Sequence, residues 1–362
     1  MSQYQVLFEG TPVEKDFYEQ VSRLEVEENA DLPGAISLTL PVGVKDEELT
    51  WVSDPKLRPY ANIAVVATAP DASDECIFDG YVLTHKVHLP SGTAGATVEV
   101  WGQDASVLMG MTERVKVWSG MTEADVAQQI FASYGISAAS ANDKDPGPTH
   151  SEDEHALVQR GSDADFLRRL ARRTGRWFRV AAADEPGIRS GWFAPPDLDA
   201  ASVVTIGVTD SATSAVAALD FAWDASRPTS VESRQVSLSD NDMAGVSADT
   251  TDSGLSPLDA RTLAQFTGRQ RTVILTAAAD TAELPDRSAA LLREANWFVR
   301  CEGTADVNVL KRVLRVGQVV EVEGCGSVLS GKYLVWSVRH TFTTQAHTMA
   351  FALVSNALGP DA

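Results

Sequence analysis

Residues 159–180 read QRGSDADFLRRLARRTGRWFRV, and this run decides how its surroundings are read. Ser162 suits a helix N-cap, because its hydroxyl can accept from the free amides of the first turn. Asp165, three residues on, stands where a capping box places an acid or amide, although Glu or Gln is the usual occupant. Phe166, Leu167, Leu170 and Ala171 fall on one helical face. Gly175 can stop the helix in the left-handed conformation. Trp177, Phe178 and Val180 read as a strand immediately after it. The expectation is a capped amphipathic helix, a tight glycine stop and a β-strand.

A second unit of the same kind lies upstream. Thr122 suits an N-cap with Asp125 three residues later, Val126, Ile130 and Phe131 form an apolar face, and Gly135 ends the helix. Between the two helices, Ser137 to Glu154 carries Pro146, Gly147, Pro148 and several acids, and reads as a surface loop. Before this pair the chain is β-patterned. Tyr4, Val6 and Phe8 alternate with polar residues; Val21, Leu24 and Val26 follow; Ile36, Leu38 and Leu40 come after a Pro33-Gly34 turn. Ile63–Ala67, Ile77–Val82 with a turn or bulge at Gly80, and Val98–Trp101 ending at Gly102 complete that region. After the pair, strands are expected at Trp192-Phe193, Val203–Ile206, Leu219–Trp223 and Val231–Leu238. The Ser-, Asp-, Thr- and Gly-rich run 240–256 reads as a linker or long exposed loop. Ser256-Pro257 suggests a short helix start, Asp286 to Ala295 a further helix, and 316–355 three strands.

Composition sets bounds. The chain has 362 residues, 44% of them hydrophobic, enough for two or three domains with a substantial core. Fifty acids against thirty Lys and Arg give a formal charge of −20. That balance argues against a protein that neutralises nucleic-acid phosphates and against binding to anionic membrane surfaces. Cys76, Cys301 and Cys325 are far apart and lack metal-ligand spacing, so free thiols are expected. The N-terminus MSQYQVLFEG lacks a signal-peptide pattern, and no apolar run nears the ~18 residues of a membrane span.

Several of these blocks carry a family resemblance. The run S-D-A-D-F-L-R-R-L-A (162–171), followed by Gly175 and an aromatic strand, is one. F-D-G-Y-V (78–82), then V-E-V-W-G (98–102) and Asp104, is another. R-V-G-Q-V-V-E-V (315–322), S-G-K-Y-L-V (330–335), V-R-H-T-F (338–342) and F-A-L (351–353) make the third. Taken in chain order, 78–104, 162–175 and 315–353, they resemble the hub proteins of contractile tails, the phage late-control D proteins and the N-terminal hub part of VgrG-type spike proteins. The resemblance implies a mainly β (α+β) fold with two tube-like β-barrel domains and a small α/β insert. Its boundaries here are 1–118, 119–198 with the two capped helices, and 199–362 with a linker near 240–256. It also implies a structural, non-enzymatic baseplate hub: a homotrimeric ring that adapts a sixfold tail tube to a threefold spike. Its partners are copies of itself, the tail tube protein, a separate spike protein, and baseplate wedge or sheath-end proteins. Such a protein is made in the host cytoplasm and ends in a virion or injection-particle baseplate. VgrG-type chains continue into an OB-fold and a β-helical spike, whereas this sequence stops at Ala362. A tail-tip cell-wall hydrolase and a hexameric tube or adaptor protein are the alternatives.

The residues themselves single out no catalytic, cofactor or metal site. Gly326-Ser-Val-Leu-Ser-Gly331-Lys332 nearly spells a phosphate-binding loop, but Tyr333 replaces the magnesium-holding Ser or Thr, and a strand, not a helix, is expected next. His340 and His347 flank a turn without a third ligand, which suggests a structural hydrogen bond. His85 and His88 face opposite ways on a strand. No nucleophile elbow or Cys/His signature is present. One cluster stands out in so acidic a chain: Arg168, Arg169, Arg172, Arg173 and Arg176, with Arg179 beyond. It can support the helix dipole and pair with Glu152-Asp153-Glu154, or it can grip carboxylates of an acidic neighbour.

Overall fold

Strand alternation organises the first hundred residues of the computed structural model, which describes residues 3–45, 48–91, 95–144, 146–147, 149–150, 156–208, 214–236, 243–275, 283–343 and 346–360. Six long strands form here: β1 (Gln3–Phe8), β2 (Arg23–Asn29), β3 (Ala35–Pro41), β4 (Asn62–Thr68), β5 (Asp74–His88) and β6 (Thr97–Asp104). A short helix, α1 (Lys15–Gln20), precedes β2 and carries the buried Phe17, so Val21 ends a helix instead of opening a strand. It was invisible in the sequence because Glu14 provides no side-chain cap. The turn expected at Gly80 is also absent. β5 runs straight through, and glycine is needed there because a Cβ would lie 2.1 Å from the Gln103 carbonyl of β6. The register shifts fall elsewhere, at Val82/Thr84 against β6 and Val65/Val66 against β4.

The middle of the chain adds a separate core. β7 (Glu113–Trp118) pairs with β8 (Leu157–Ser162), α2 (Glu123–Ser133) and α3 (Asp163–Thr174) follow their caps, and β9 (Trp177–Ala182) pairs with β10 (Arg189–Ala194). Thr122 and Asp125 form a full capping box. Ser162 accepts from the Asp165 amide, and Gly175 closes α3 at φ 66°. The predicted apolar faces of both helices are buried together with Phe193 and Val180. The connection between the helices is more than a surface loop. Asn142 is fully buried, where it donates to the Gly191 carbonyl (3.1 Å) and accepts from the Phe193 amide (2.8 Å). The acids Glu152-Asp153-Glu154 lie outside the described residues, as does Leu238.

The remaining strands are β11 (Val216–Trp223), β12 (Ser230–Val236), β13 (Met243–Asp249), β14 (Thr272–Leu275), β15 (Val299–Asp306), β16 (Val319–Glu323), β17 (Gly331–Phe342) and β18 (His347–Ser355), with helix α4 (Leu284–Ala295) between β14 and β15. Part of the run expected to be a linker is strand: β13 pairs with β12 from Ser230↔Asp249 to Val236↔Met243. Its small and polar residues give no alternation to read. The helix expected at Ser256-Pro257 does not form. The Asn356 side chain instead takes the Leu258 amide and donates to the Ser256 carbonyl, replacing helical bonds, and a short helix begins at Leu263 behind a Thr262/Gln265 capping box.

The protein is mainly β. Strands of the N- and C-terminal regions share one 13-stranded sheet, in the order β11–β15–β18–β17–β2–β3–β6–β5–β4–β1 with short flanking strands. The joint is the antiparallel pairing of β17 with β2, from Ser337↔Asn29 to Phe342↔Leu24. One hydrophobic core runs across that joint, from Val6 and Leu24 to Leu353 and Leu358.

Candidate functional site

The arginine face of α3 divides into two groups. Arg173 and Arg176 turn inward to Glu123 at the start of α2, at 2.9 Å each, and His150 Nε2 stands 3.4 Å from the same carboxylate. Burial alone would raise the Glu123 carboxyl, but His150, Arg173 and Arg176 hold it below its ordinary value. These two arginines therefore clasp the two capped helices together. The second group faces out. Arg168 lies over the Phe178 ring and pairs with Asp165, Arg169 donates to the Arg160 carbonyl, and Arg172 is exposed beside Asp31.

Behind this helix lies a denser set of buried charges, at the place where the α/β unit meets both halves of the sheet. Glu28 of β2 continues the core-facing alternation of Leu24 and Val26 and is buried. Its two oxygens accept from Arg315 Nε (2.6 Å) and the Val316 amide (3.0 Å). Arg315 also donates to the carbonyls of Cys76 in β5 (3.0 Å) and Ala182 in β9 (3.4 Å). Arg179 of β9 donates to the Val316 carbonyl and lies 3.7 Å from Glu28. Burial alone would lower the Arg315 guanidinium, but Glu28 more than offsets it; for Arg179 burial prevails and the pKa is lowered. A second clamp stands alongside. Asp79 of β5 accepts from Arg189 (2.7 Å), the Gly187 amide (2.7 Å) and Asn62 (2.8 Å), while Arg189 reaches Tyr81 Oη (2.9 Å). Buried charges demand such partners, and here they come from segments far apart in the chain.

The other candidates behave as packing residues. His340 and His347 are buried and bond ring to ring at 3.1 Å. Burial pushes both down to about 3, with Arg315 adding to the effect at His340 and His340 at His347, so both rings are neutral at pH 7. Tyr333, the residue that breaks the phosphate-loop pattern, is buried, donates to the Leu329 carbonyl, and follows Gly331 inside strand β17. Cys76, Cys301 and Cys325 are free thiols, and burial pushes Cys76 and Cys301 up to about 12. Among the described residues no group of three or more His, Cys, Asp and Glu could hold a metal, and no helix is long and apolar enough to cross a membrane.

With this geometry in view, comparison with known proteins places the chain. The family profile described as the Alg8 N-terminal domain matches residues 1–344. The chain belongs to the Alg8 N-terminal domain family. No curated protein matches it. Among solved structures, this Alg8 N-terminal domain chain is similar to the 43 kDa tail protein of prophage MuSo2 from Shewanella oneidensis. That match covers 99% of this chain and 100% of the other, with TM-score 0.67 and 13% identity. The tail protein from Neisseria meningitidis MC58 matches over 98% and 96%, with TM-score 0.64 and 13% identity. The E. coli c3393 protein, a type VI secretion component with structural similarity to the T4 bacteriophage tail proteins gp27 and gp5, matches over 99% and 79%, with TM-score 0.56 and 14% identity. At these identities the likeness is one of fold: the Alg8 N-terminal domain chain has the fold of phage tail and type VI secretion proteins.

Proposed function

We propose that this chain is a structural baseplate hub of a contractile phage tail or phage-like injection system, of the late-control D and VgrG N-terminal type. In this reading, residues 1–118 and 199–362 are two tube-like barrels around the 119–198 insert. Three copies close a ring, so that six barrels meet a sixfold tube on one side and a threefold spike on the other. The observation that carries the reading is the β2–β17 pairing, which makes one sheet of the two regions. A part that passes symmetry from tube to spike must hold its two halves at a fixed angle, and a shared sheet with a common core does so. Its partners are copies of itself, the tail tube protein, a spike protein, and wedge or sheath-end proteins. The outward arginines Arg168, Arg169 and Arg172 are the face offered to a neighbour, and Arg173 and Arg176 hold that face in place through Glu123.

Native mass spectrometry of the full chain with its tube and spike proteins, with electron microscopy of the product, tests this. A three-copy ring is expected; a six-copy ring refutes the hub in favour of a tube or adaptor role. Arg168→Glu with Arg172→Glu should abolish assembly while leaving the monomer folded, and normal assembly of that double variant removes the arginine face from the reading.

A further inference from the structure

The 13-stranded sheet ends differently at its two edges. Beside β1 the edge is stopped. The Val6 amide donates to Tyr18 Oη (3.0 Å), the Val6 carbonyl accepts from the Val13 amide (3.0 Å), and Pro12, which has no N–H, lies against Leu7. At β11 the edge is open. The Asp224 amide donates to the Phe298 carbonyl (2.8 Å). Backbone groups alternate sides along an antiparallel strand, so Ala222 and Asp220 bond β15, while Leu219, Phe221 and Trp223 turn their N–H and C=O groups away from it. Those outward groups have no partner among the described residues. β11 carries neither Lys nor Pro, the usual protections of a free edge. Its one charge, Asp220, is exposed and forms no ion pair among the described residues. It stands opposite a like charge, Glu302, whose own partner is Arg300. A second open strand lies in the α/β insert. Among the described residues β7 pairs with β8 alone. The outer face of this ribbon is apolar, with Val115 81% and Val117 48% exposed. Between them, Lys116 rests over the Trp118 ring (3.3 Å) and meets no carboxylate among the described residues.

We propose that β7 of one copy of this chain adds as a strand to the β11 edge of a second copy. The side chains fit in register. With Lys116 set opposite Asp220, Val115 and Val117 fall beside Leu219 and Phe221, the half-buried row that packs on the core, and this holds for either strand direction. The added strand supplies main-chain partners to Leu219, Phe221 and Trp223. It also gives Asp220 a cation and covers the two valines. Pairings of like strands do less. β11 against β11 leaves Asp220 without a cation. β7 against β7 across a twofold axis, with side-chain faces matched, sets Arg114 or Lys116 against another base. Unlike strands on one chain make a head-to-tail contact, the kind that closes rings. The contact deepens the hub reading, on which it rests for the number of copies in the ring.

The test uses the full chain together with its tube and spike proteins. Lys116→Cys combined with Asp220→Cys brings two thiols together across the contact, with Cα atoms about 4.5–5.5 Å apart, a span that a disulfide bridges. Mild oxidation should give covalent multimers on a non-reducing gel. Neither single variant should, nor the unsubstituted chain with its Cys76, Cys301 and Cys325. Charge variants read the same contact. Asp220→Lys or Lys116→Glu alone should weaken assembly about tenfold, and the two together should restore it. Both residues are exposed, so the variants should fold, which circular dichroism checks. No crosslink in the double-cysteine chain, or no rescue by the paired charge swap, overturns the inference. A three-copy ring that forms without the crosslink overturns this contact and leaves the hub standing, whereas the crosslink inside a six-copy ring keeps the contact and refutes the hub. Loss of tube or spike binding in Asp220→Lys with self-assembly intact also overturns the inference, by assigning the β11 edge to that partner.

Discussion

Replacing Arg315 by Met tests whether the buried charges at the three-way joint hold the fold together. The change removes a 2.6 Å charge-assisted bond to Glu28 and two bonds to the Cys76 and Ala182 carbonyls. All three bonds are donated by a charged guanidinium, and a hydrogen bond of that class contributes about 1.5–3 kcal/mol. Glu28 stays buried, keeping the Val316 amide at 3.0 Å and Arg179 at 3.7 Å, so its charge is only partly uncompensated. The loss is therefore expected at about 3–5 kcal/mol, the range for breaking a buried ion pair. The assay is urea unfolding followed by tryptophan fluorescence, with ΔG taken at unchanged slope. A second variant separates the cost of an orphaned charge from the value of the pair. Arg315→Met combined with Glu28→Leu removes both charges and continues the apolar alternation of Leu24 and Val26, and should recover most of the loss. If Arg315→Met costs less than about 1 kcal/mol, or if the double variant simply sums the two single losses, the joint is not held by this pair and the reasoning fails.

Other parts of the molecule give three further expectations. His340 and His347 are held near 3 in the fold against an ordinary value of 6.5, so the unfolded chain binds more protons once pH drops below about 6.5. Their contribution is complete above pH 6.5 and is lost as pH falls toward 3; between pH 6.5 and 5 urea stability should decline by up to about 1.4 kcal/mol per pH unit per histidine. His347→Phe should flatten that slope, and an unchanged slope would clear the pair. Glu123→Gln leaves Arg173 and the buried Arg176 facing a neutral amide and should cost about 2–4 kcal/mol. Amide exchange should show the loss concentrated in α2, α3 and β10, and uniform exchange across the chain would contradict the clasp. Gly175→Ala introduces a Cβ 2.7 Å from the Ala290 backbone at a residue with φ 66°. Strain of about 1–3 kcal/mol is expected in the unfolding midpoint, and a neutral substitution would mean that α3 and α4 can separate without loss.

Elements whose signal is local were legible. The two capped helices needed only a Thr or Ser cap, an apolar face and a glycine stop, and all of these lie within a dozen or so residues of each other. The strands with strict alternation, such as β2 and β3, were legible for the same reason. Elements whose cause lies elsewhere were not. β13 exists because β12 offers it a ladder and α4 covers that sheet through Leu292 against Val231 and Ala248; its own residues carry no period. Asn356 cancels a helix at Pro257 from a hundred residues away.

The same division explains the charged sites. The arginine cluster is conspicuous in the sequence because its members are close together, but the sequence could not divide it, since the residue that draws Arg173 and Arg176 inward is Glu123, some fifty residues earlier. Glu28 did leave a trace. It occupies the core-facing step after Leu24 and Val26, where an acid is expensive to bury unless a cation meets it. That step predicts a partner without naming one, because Arg315 is 287 residues distant. A buried acid on the apolar face of a strand thus marks a place where a distant segment must arrive. In this chain the arriving segment joins β2, β5 and β9 through a single guanidinium, so the charge that looks most unfavourable in the sequence is the one that fixes how the parts of the fold meet.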